Sequence, residues 1–163
     1  MSAPIGIVVG SKSDLDFAQA AVQVLADLGI ESELRILSAH RTPGPLETWI
    51  AEAEAGGTKV FIAMAGMAAA LPGVVAAKTA LPVIGVPLPA SELAGNDALM
   101  SIVQMPPGIP VGTMAIGKAG AKNAAWYAAA ILGLVDPSVA QAVKDGRAKM
   151  AAGVLAADAE VQA

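Results

Sequence analysis

The sequence predicts a three-layer α/β protein, a parallel sheet of about five strands with helices on both faces, and three observations predict it. Short apolar runs alternate with longer stretches of helical periodicity across brief connections, the pattern of strands followed by crossover helices. The apolar runs are continuous, as in Ile5-Gly6-Ile7-Val8-Val9, which fits strands covered on both faces better than strands with one wet side. The composition, 55% hydrophobic with 15% charged and only 3% aromatic residues, suits a tightly packed globule rich in small side chains. A chain of 163 residues is most simply one domain, residues 1–163, with a core over about 5–134 and a C-terminal helix and tail over about 137–163.

Each element has a local reason. Ile5 to Val9 reads as the first strand and ends in Gly10-Ser11-Lys12-Ser13-Asp14. Ser13 or Asp14 is placed to cap a helix running to about Leu28, with Phe17, Ala20, Ala21, Val24, Leu25 and Leu28 along its apolar face and Gly29 closing it. Glu33 to Leu37 is the second strand. Pro43 pre-sets a first helical turn, and a helix over Pro45 to Ala55 stops at Gly56-Gly57. Val60 to Ala63 is the third strand, after which Gly66 to Ala77 opens as a small-residue loop and turns helical. Val83 to Val86 is the fourth strand, and a helix from Asn96 to about Gln104 leads through a proline-rich turn to a fifth near Val111 to Ala115. Ala119 to Leu134 and Pro137 to about Ala157 are the last helices.

Several classes of function are set aside by what the chain lacks. The net charge is −4 with no run of lysines or arginines, so no nucleic-acid footprint is present. Zero cysteines exclude disulfides and thiolate chemistry, and a single histidine makes a metal site built by the protein improbable. Val60 to Ala77 and Ala98 to Gly117 are uncharged and long enough to raise the question of a membrane span. Both are interrupted by glycine and proline, which lipid does not tolerate without partners for the freed backbone groups, so no membrane partner is expected. The N-terminus opens on a strand pattern rather than a signal peptide, and a cytoplasmic location is the expectation.

In sheets of this kind ligands sit outside the carboxyl ends of the strands. Ser38-Ala39-His40-Arg41-Thr42-Pro43 follows the second strand and holds the only histidine of the chain. An imidazole both takes and gives a proton near neutral pH, and the adjacent guanidinium suits a phosphate. A lone loop histidine is also often an ordinary surface residue. Gly10-Ser11-Lys12-Ser13-Asp14 offers a glycine for close approach, hydroxyls and free amides for phosphate, and a carboxylate for a sugar hydroxyl. It has neither Walker nor G-x-G-x-x-G spacing, and read alone it also describes a capped helix start. The third loop, Met64 to Gly73, offers backbone amides and almost no side-chain chemistry, as close packing alone would also require. Lys12, Glu92, Asp97 and Lys118 are left without a role.

These stretches, together with Leu81-Pro82-Val83-Ile84-Gly85-Val86-Pro87, Ser101-Ile102-Val103-Gln104-Met105-Pro106 and Ala115-Ile116-Gly117, closely resemble the N5-carboxyaminoimidazole ribonucleotide mutase family of purine biosynthesis, in register from about Ile5 to Leu132. The resemblance implies an isomerase that moves a carboxylate from N5 to C4 of an aminoimidazole ribonucleotide, with neither metal nor organic cofactor. It implies a flavodoxin-like subunit assembled as a homo-octamer, with sites near subunit boundaries. On the family's pattern His40 is the catalytic proton carrier, Ser11 and Arg41 hold the 5′-phosphate and Asp14 the ribose hydroxyls. Ser13, Ser38, Gly66, Met67, Ala68, Ala70 and Leu71 complete the substrate-binding set. The implied course is loss of carbon dioxide from the N5 carbamate with protonation at nitrogen, capture of the gas by C4, and removal of the C4 proton by the same imidazole. Such a course calls for a closed pocket with a preformed loop.

The chain also departs from the family's pattern. The third loop commonly reads Gly-Ala-Gly-Gly-Ala-Ala-His-Leu-Pro-Gly, whereas here Met64 and Met67 stand for two glycines and Ala70 for the histidine. If that histidine is indispensable the protein is impaired; if it only tunes the pocket, His40 acts unaided. The runner-up reading is an aminoimidazole ribonucleotide carboxylase that uses free carbon dioxide. A reading from another class is a nucleotide-binding homologue without turnover.

Overall fold

The computed structural model describes residues 2–162. Strands β1 (Ile5–Val9), β2 (Ser32–Ile36), β3 (Val60–Gly66), β4 (Val83–Leu88) and β5 (Gly112–Thr113) form one sheet in the order β2-β1-β3-β4-β5, every neighbouring pair parallel. The connecting helices are α1 (Leu15–Asp27), α2 (Pro43–Gly56), α3 (Ala70–Ala76), α4 (Asn96–Val103), α5 (Lys118–Leu132) and α6 (Pro137–Gln162). The strand order and the two helix layers are those of a flavodoxin-like fold.

The alternation of side chains along a strand divides the interior in two. On one face Ile5, Ile7, Val9, Ile62, Met64 and Val86 pack against α1, α5 and Val143 of α6. On the other, Val8, Phe61, Ala63 and Val83 pack against α2, α3 and α4. Trp49 of α2 meets Phe61 edge to face at 5.4 Å between ring centroids, a geometry that aromatic quadrupoles favour. Five alanines of α5 (Ala121, Ala124, Ala125, Ala128, Ala129) are buried, so this helix lies close on the sheet. Close approach is most acute at Gly120, where a Cβ would run into the carbonyl oxygen of Ala115.

The elements fall where the periodicity places them, with corrections at their ends. The helix after β1 starts as a single 3₁₀ turn, Lys12–Asp14, capped by Ser11, and neither Ser13 nor Asp14 makes the expected side-chain cap. Its buried line is Ala18, Ala21 and Leu25, with Phe17, Val24 and Leu28 only partly covered. β2 runs from Ser32 to Ile36 rather than Glu33 to Leu37, and α2 starts at Pro43 rather than Pro45. β3 extends to Gly66 and β4 to Leu88 because their later residues continue to pair with each other. β5 shrinks to two residues, since Pro110 has no amide to donate and the ladder with β4 ends at the bond from the Met114 amide to the Gly85 carbonyl. α6 continues to Gln162, past the expected Ala157. It is capped by Asp136, whose Oδ1 accepts from the Ser138 amide at 2.9 Å and hydroxyl at 2.6 Å. Among the described residues, no helix is long and apolar enough to cross a membrane.

Candidate active site

The strand order reverses between β1 and β3, and the crevice outside their carboxyl ends is where an open α/β sheet binds ligands. A cleft of about 580 Å³ lies there, walled by the loops after β1, β2 and β3 and touched by Ala90 after β4.

In the first wall, the chain leaves β1 through Gly10 and enters the 3₁₀ turn. Ser11 Oγ accepts from the Ser13 amide at 3.4 Å and from the Ser13 hydroxyl at 3.0 Å, which leaves its own proton free for a ligand. Asp14 is the one buried acidic side chain among the described residues, 8% exposed. Burial pushes its carboxyl above the ordinary aspartate value of 3.8, opposed by the Ser13 hydroxyl, the Ser11 amide and the Arg41 guanidinium.

The second wall is a self-closed turn. The Ser38 amide donates to Thr42 Oγ1 at 2.8 Å, the Thr42 amide donates to the Ser38 carbonyl at 3.0 Å, and the Arg41 amide donates to Ser38 Oγ at 3.2 Å. These bonds fix the backbone on both sides of His40, whose exposed ring borders the cleft. Arg41 Nη2 donates to the Gly10 carbonyl at 2.9 Å and ties the second wall to the first. The remaining guanidinium donors are available to an anion between the two loops.

The third wall begins at Gly66, where a Cβ would collide with Ala90 and lie 3.1 Å from the Leu88 carbonyl oxygen. Met67 (φ 57°) and Ala69 (φ 43°) then adopt left-handed backbone, a region that disfavours side chains. The Ala69 amide closes this turn on the Gly66 carbonyl at 3.0 Å, and the Ser101 hydroxyl of α4 donates to the Ala68 carbonyl. Leu71 is buried beneath the loop, while Met67 is 61% exposed.

All eleven residues singled out in the sequence border this one cleft: Ser11, Ser13 and Asp14 on the first wall, Ser38, His40 and Arg41 on the second, Gly66, Met67, Ala68, Ala70 and Leu71 on the third. Lys12, Glu92, Asp97 and Lys118 do not border it. Gly10, read as a glycine for close approach, borders it too, whereas the sequence reading missed Ala39, Ala69 and Ala90, which have no side-chain chemistry to betray them. It also missed Ser101 as a brace, although that residue lies in a motif singled out for the resemblance. Met64 is fully buried in β3 and lies outside the cleft, so it does not narrow it. The expected closed pocket is not what this chain forms by itself: His40, Arg41, Met67 and Ala68 are exposed, because no element of the described residues covers the three loops.

A flavodoxin-like α/β protein with its polar loops gathered at a single switch-point cleft is the class defined so far. The family model described as AIR carboxylase matches residues 4–153, and the chain belongs to that family. The chain is 52% identical over 155 residues to the N5-carboxyaminoimidazole ribonucleotide mutase of Pseudomonas aeruginosa, covering 95% of each chain. It is 51% identical over 145 residues to the mutase of the same name from Escherichia coli K12, covering 89% of this chain and 86% of the relative. The crystal structure of Treponema denticola PurE superposes with a TM-score of 0.88 at 32% identity, covering 98% of both chains.

Proposed function

We propose that the chain is the isomerase that converts N5-carboxyaminoimidazole ribonucleotide to its 4-carboxy isomer in purine biosynthesis, with His40 as the single proton carrier. The observation that carries this reading is that the only imidazole, the Arg41–Gly10 tie and the Ser11–Asp14 turn border one cleft. The nucleotide's phosphate sits between the Arg41 guanidinium and the Ser11 hydroxyl, where opposite charge and free donors converge. Asp14 accepts from the ribose hydroxyls. The heterocycle then lies toward the third wall, beside His40.

One group suffices for both proton transfers. The carbamate C–N bond breaks and its electron pair stays on nitrogen, which takes the imidazolium proton. Carbon dioxide is released, C4 attacks it, and the now neutral imidazole removes the C4 proton, so that the proton is conserved over the cycle. Ser13, Ser38 and the backbone of Gly66, Ala68, Ala70 and Leu71 complete the pocket.

The working form is a homo-octamer, and the protein acts in the cytoplasm. Support for assembly comes from the exposed cleft mouth and from α6, whose residues from Arg147 onward are exposed in the single chain and carry Met150, Val154, Leu155 and Val161. The test is an assay of purified protein with N5-carboxylated and uncarboxylated ribonucleotide, each with and without bicarbonate. Conversion of the carboxylated substrate without bicarbonate supports the isomerase. Turnover only of the uncarboxylated substrate with bicarbonate assigns a carboxylase instead, and binding with no turnover in any arm assigns a silent binder, the reading that Ala70 in place of the histidine would mark.

A further inference from the structure

The cleft has two chemically distinct halves. The first and second walls are polar, whereas the third wall and Ala90 offer only glycine, alanine, a buried leucine and one large exposed side chain, that of Met67. Met67 is a non-glycine residue held at φ 57° and mostly exposed. A large apolar side chain gains little from exposure, and a left-handed backbone is one that methionine resists, so neither burial nor local preference explains it. The strained turn is held from outside, by Gly66 against Ala90 and by the Ser101 hydroxyl on the Ala68 carbonyl. A conformation maintained against its own preference at the rim of a site points to function.

We infer that the Met67 side chain is the retaining group of this site, folding over the apolar half of the cleft to hold the carbon dioxide set free from nitrogen until C4 captures it. This rests on the isomerase reading above. Carbon dioxide is small, uncharged and poor at accepting hydrogen bonds, so a glycine- and alanine-lined recess does not bind it tightly. Retention then depends on blocking the exit on the third-wall side. An unbranched thioether with three rotatable bonds adapts to that task and swings aside for substrate to enter.

The test follows the carbon. Conversion of the N5-carboxylated substrate is run in buffer containing ¹³C-bicarbonate, and the labelled fraction of the 4-carboxy product is measured by mass spectrometry after subtraction of an enzyme-free control. The wild type is expected to pass its own carbon to C4 with little label. Met67→Ala, which keeps a side chain at the left-handed position as Ala69 does, and Met67→Gly, which relaxes it, are both expected to raise the labelled fraction severalfold, while Met67→Leu restores it toward the wild-type value. Thermal transitions close to wild type in Met67→Ala and Met67→Gly separate a leak from a damaged fold. The inference is overturned if either truncation turns over with no more label than wild type, if Met67→Leu leaks as much as Met67→Ala, or if both truncations abolish turnover. A wild type that converts no carboxylated substrate removes the isomerase reading itself, and Met67 as a retaining group with it.

Discussion

At the scale of single residues, His40 and Arg41 are neighbours in sequence with separable tasks. The His40 backbone is fixed by the bonds of Ser38, Arg41 and Thr42, none of which involves its ring. His40→Asn is therefore expected to leave the turn and nucleotide binding intact while lowering kcat by about a hundredfold or more, the scale of lost general acid–base catalysis. Arg41→Ala removes both the phosphate partner and the tie to Gly10, and is expected mainly to raise KM. Steady-state kinetics on the two variants checks the split, and full rate in His40→Asn defeats the proposed mechanism. Asp14 makes a prediction in pH. Its carboxyl titrates higher folded than unfolded, chiefly because it is buried, so between 3.8 and its raised value the folded state holds more proton than the unfolded one. Stability falls as pH rises through that window, and the ionised carboxylate is a cost above it. Asp14→Asn is expected to melt at a higher temperature than wild type at neutral pH, to lose that advantage as the solution is acidified, and to bind substrate more weakly. Melting curves across pH read the first effect. The chemistry-bearing residues of the cleft were legible because imidazole, guanidinium, hydroxyl and carboxylate are scarce in so apolar a chain. Ala39, Ala69 and Ala90 were not, since only the fold gives a featureless side chain a neighbourhood.

At the scale of elements, what the sequence showed depends on how local the determinant is. β1 was legible to the residue because its apolar run ends abruptly at Gly10 and Ser11. The 3₁₀ turn before α1 was not, since Ser11, Ser13 and Asp14 are all plausible caps and only the geometry of Ser11 Oγ decides among them. β5 was overextended because Val111 to Ala115 is apolar enough for a strand, while its short pairing is set by β4 and by Pro110. α5 depends on a contact that composition hides. Gly120 lies on a helix where alanine has the better intrinsic propensity, yet the Ala115 carbonyl occupies the place of its Cβ. Gly120→Ala is expected to destabilise the protein by about 1–3 kcal/mol, as an overpacked core does, instead of gaining the usual helical advantage. Denaturant unfolding of the pair reads the sign directly, and a more stable variant shows that the α5 start has room to move.

At the scale of the whole molecule, the question is what the last turns of α6 are for. Val143 anchors its first half in the core, and Gly146 lets the helix lie against Trp126 and Leu28. Beyond that point none of the described residues is buried or half-buried. A helical segment of this length with so little burial is marginal in water, because nucleation is costly and propagation alone repays it slowly. Its exposed Val154, Leu155 and Val161 gain by being covered. The open cleft on the same chain also lacks a cover, and the assembly proposed above would supply surfaces to both. Deleting residues 151–163 removes this overhang and touches neither hydrophobic cluster, so the shortened chain is expected to keep its secondary structure and nearly its full unfolding cooperativity. Sedimentation velocity on the shortened and full-length proteins is then expected to show a loss of the largest species and a shift toward smaller assemblies. An unchanged sedimentation profile would mean that the overhang takes no part in holding subunits together.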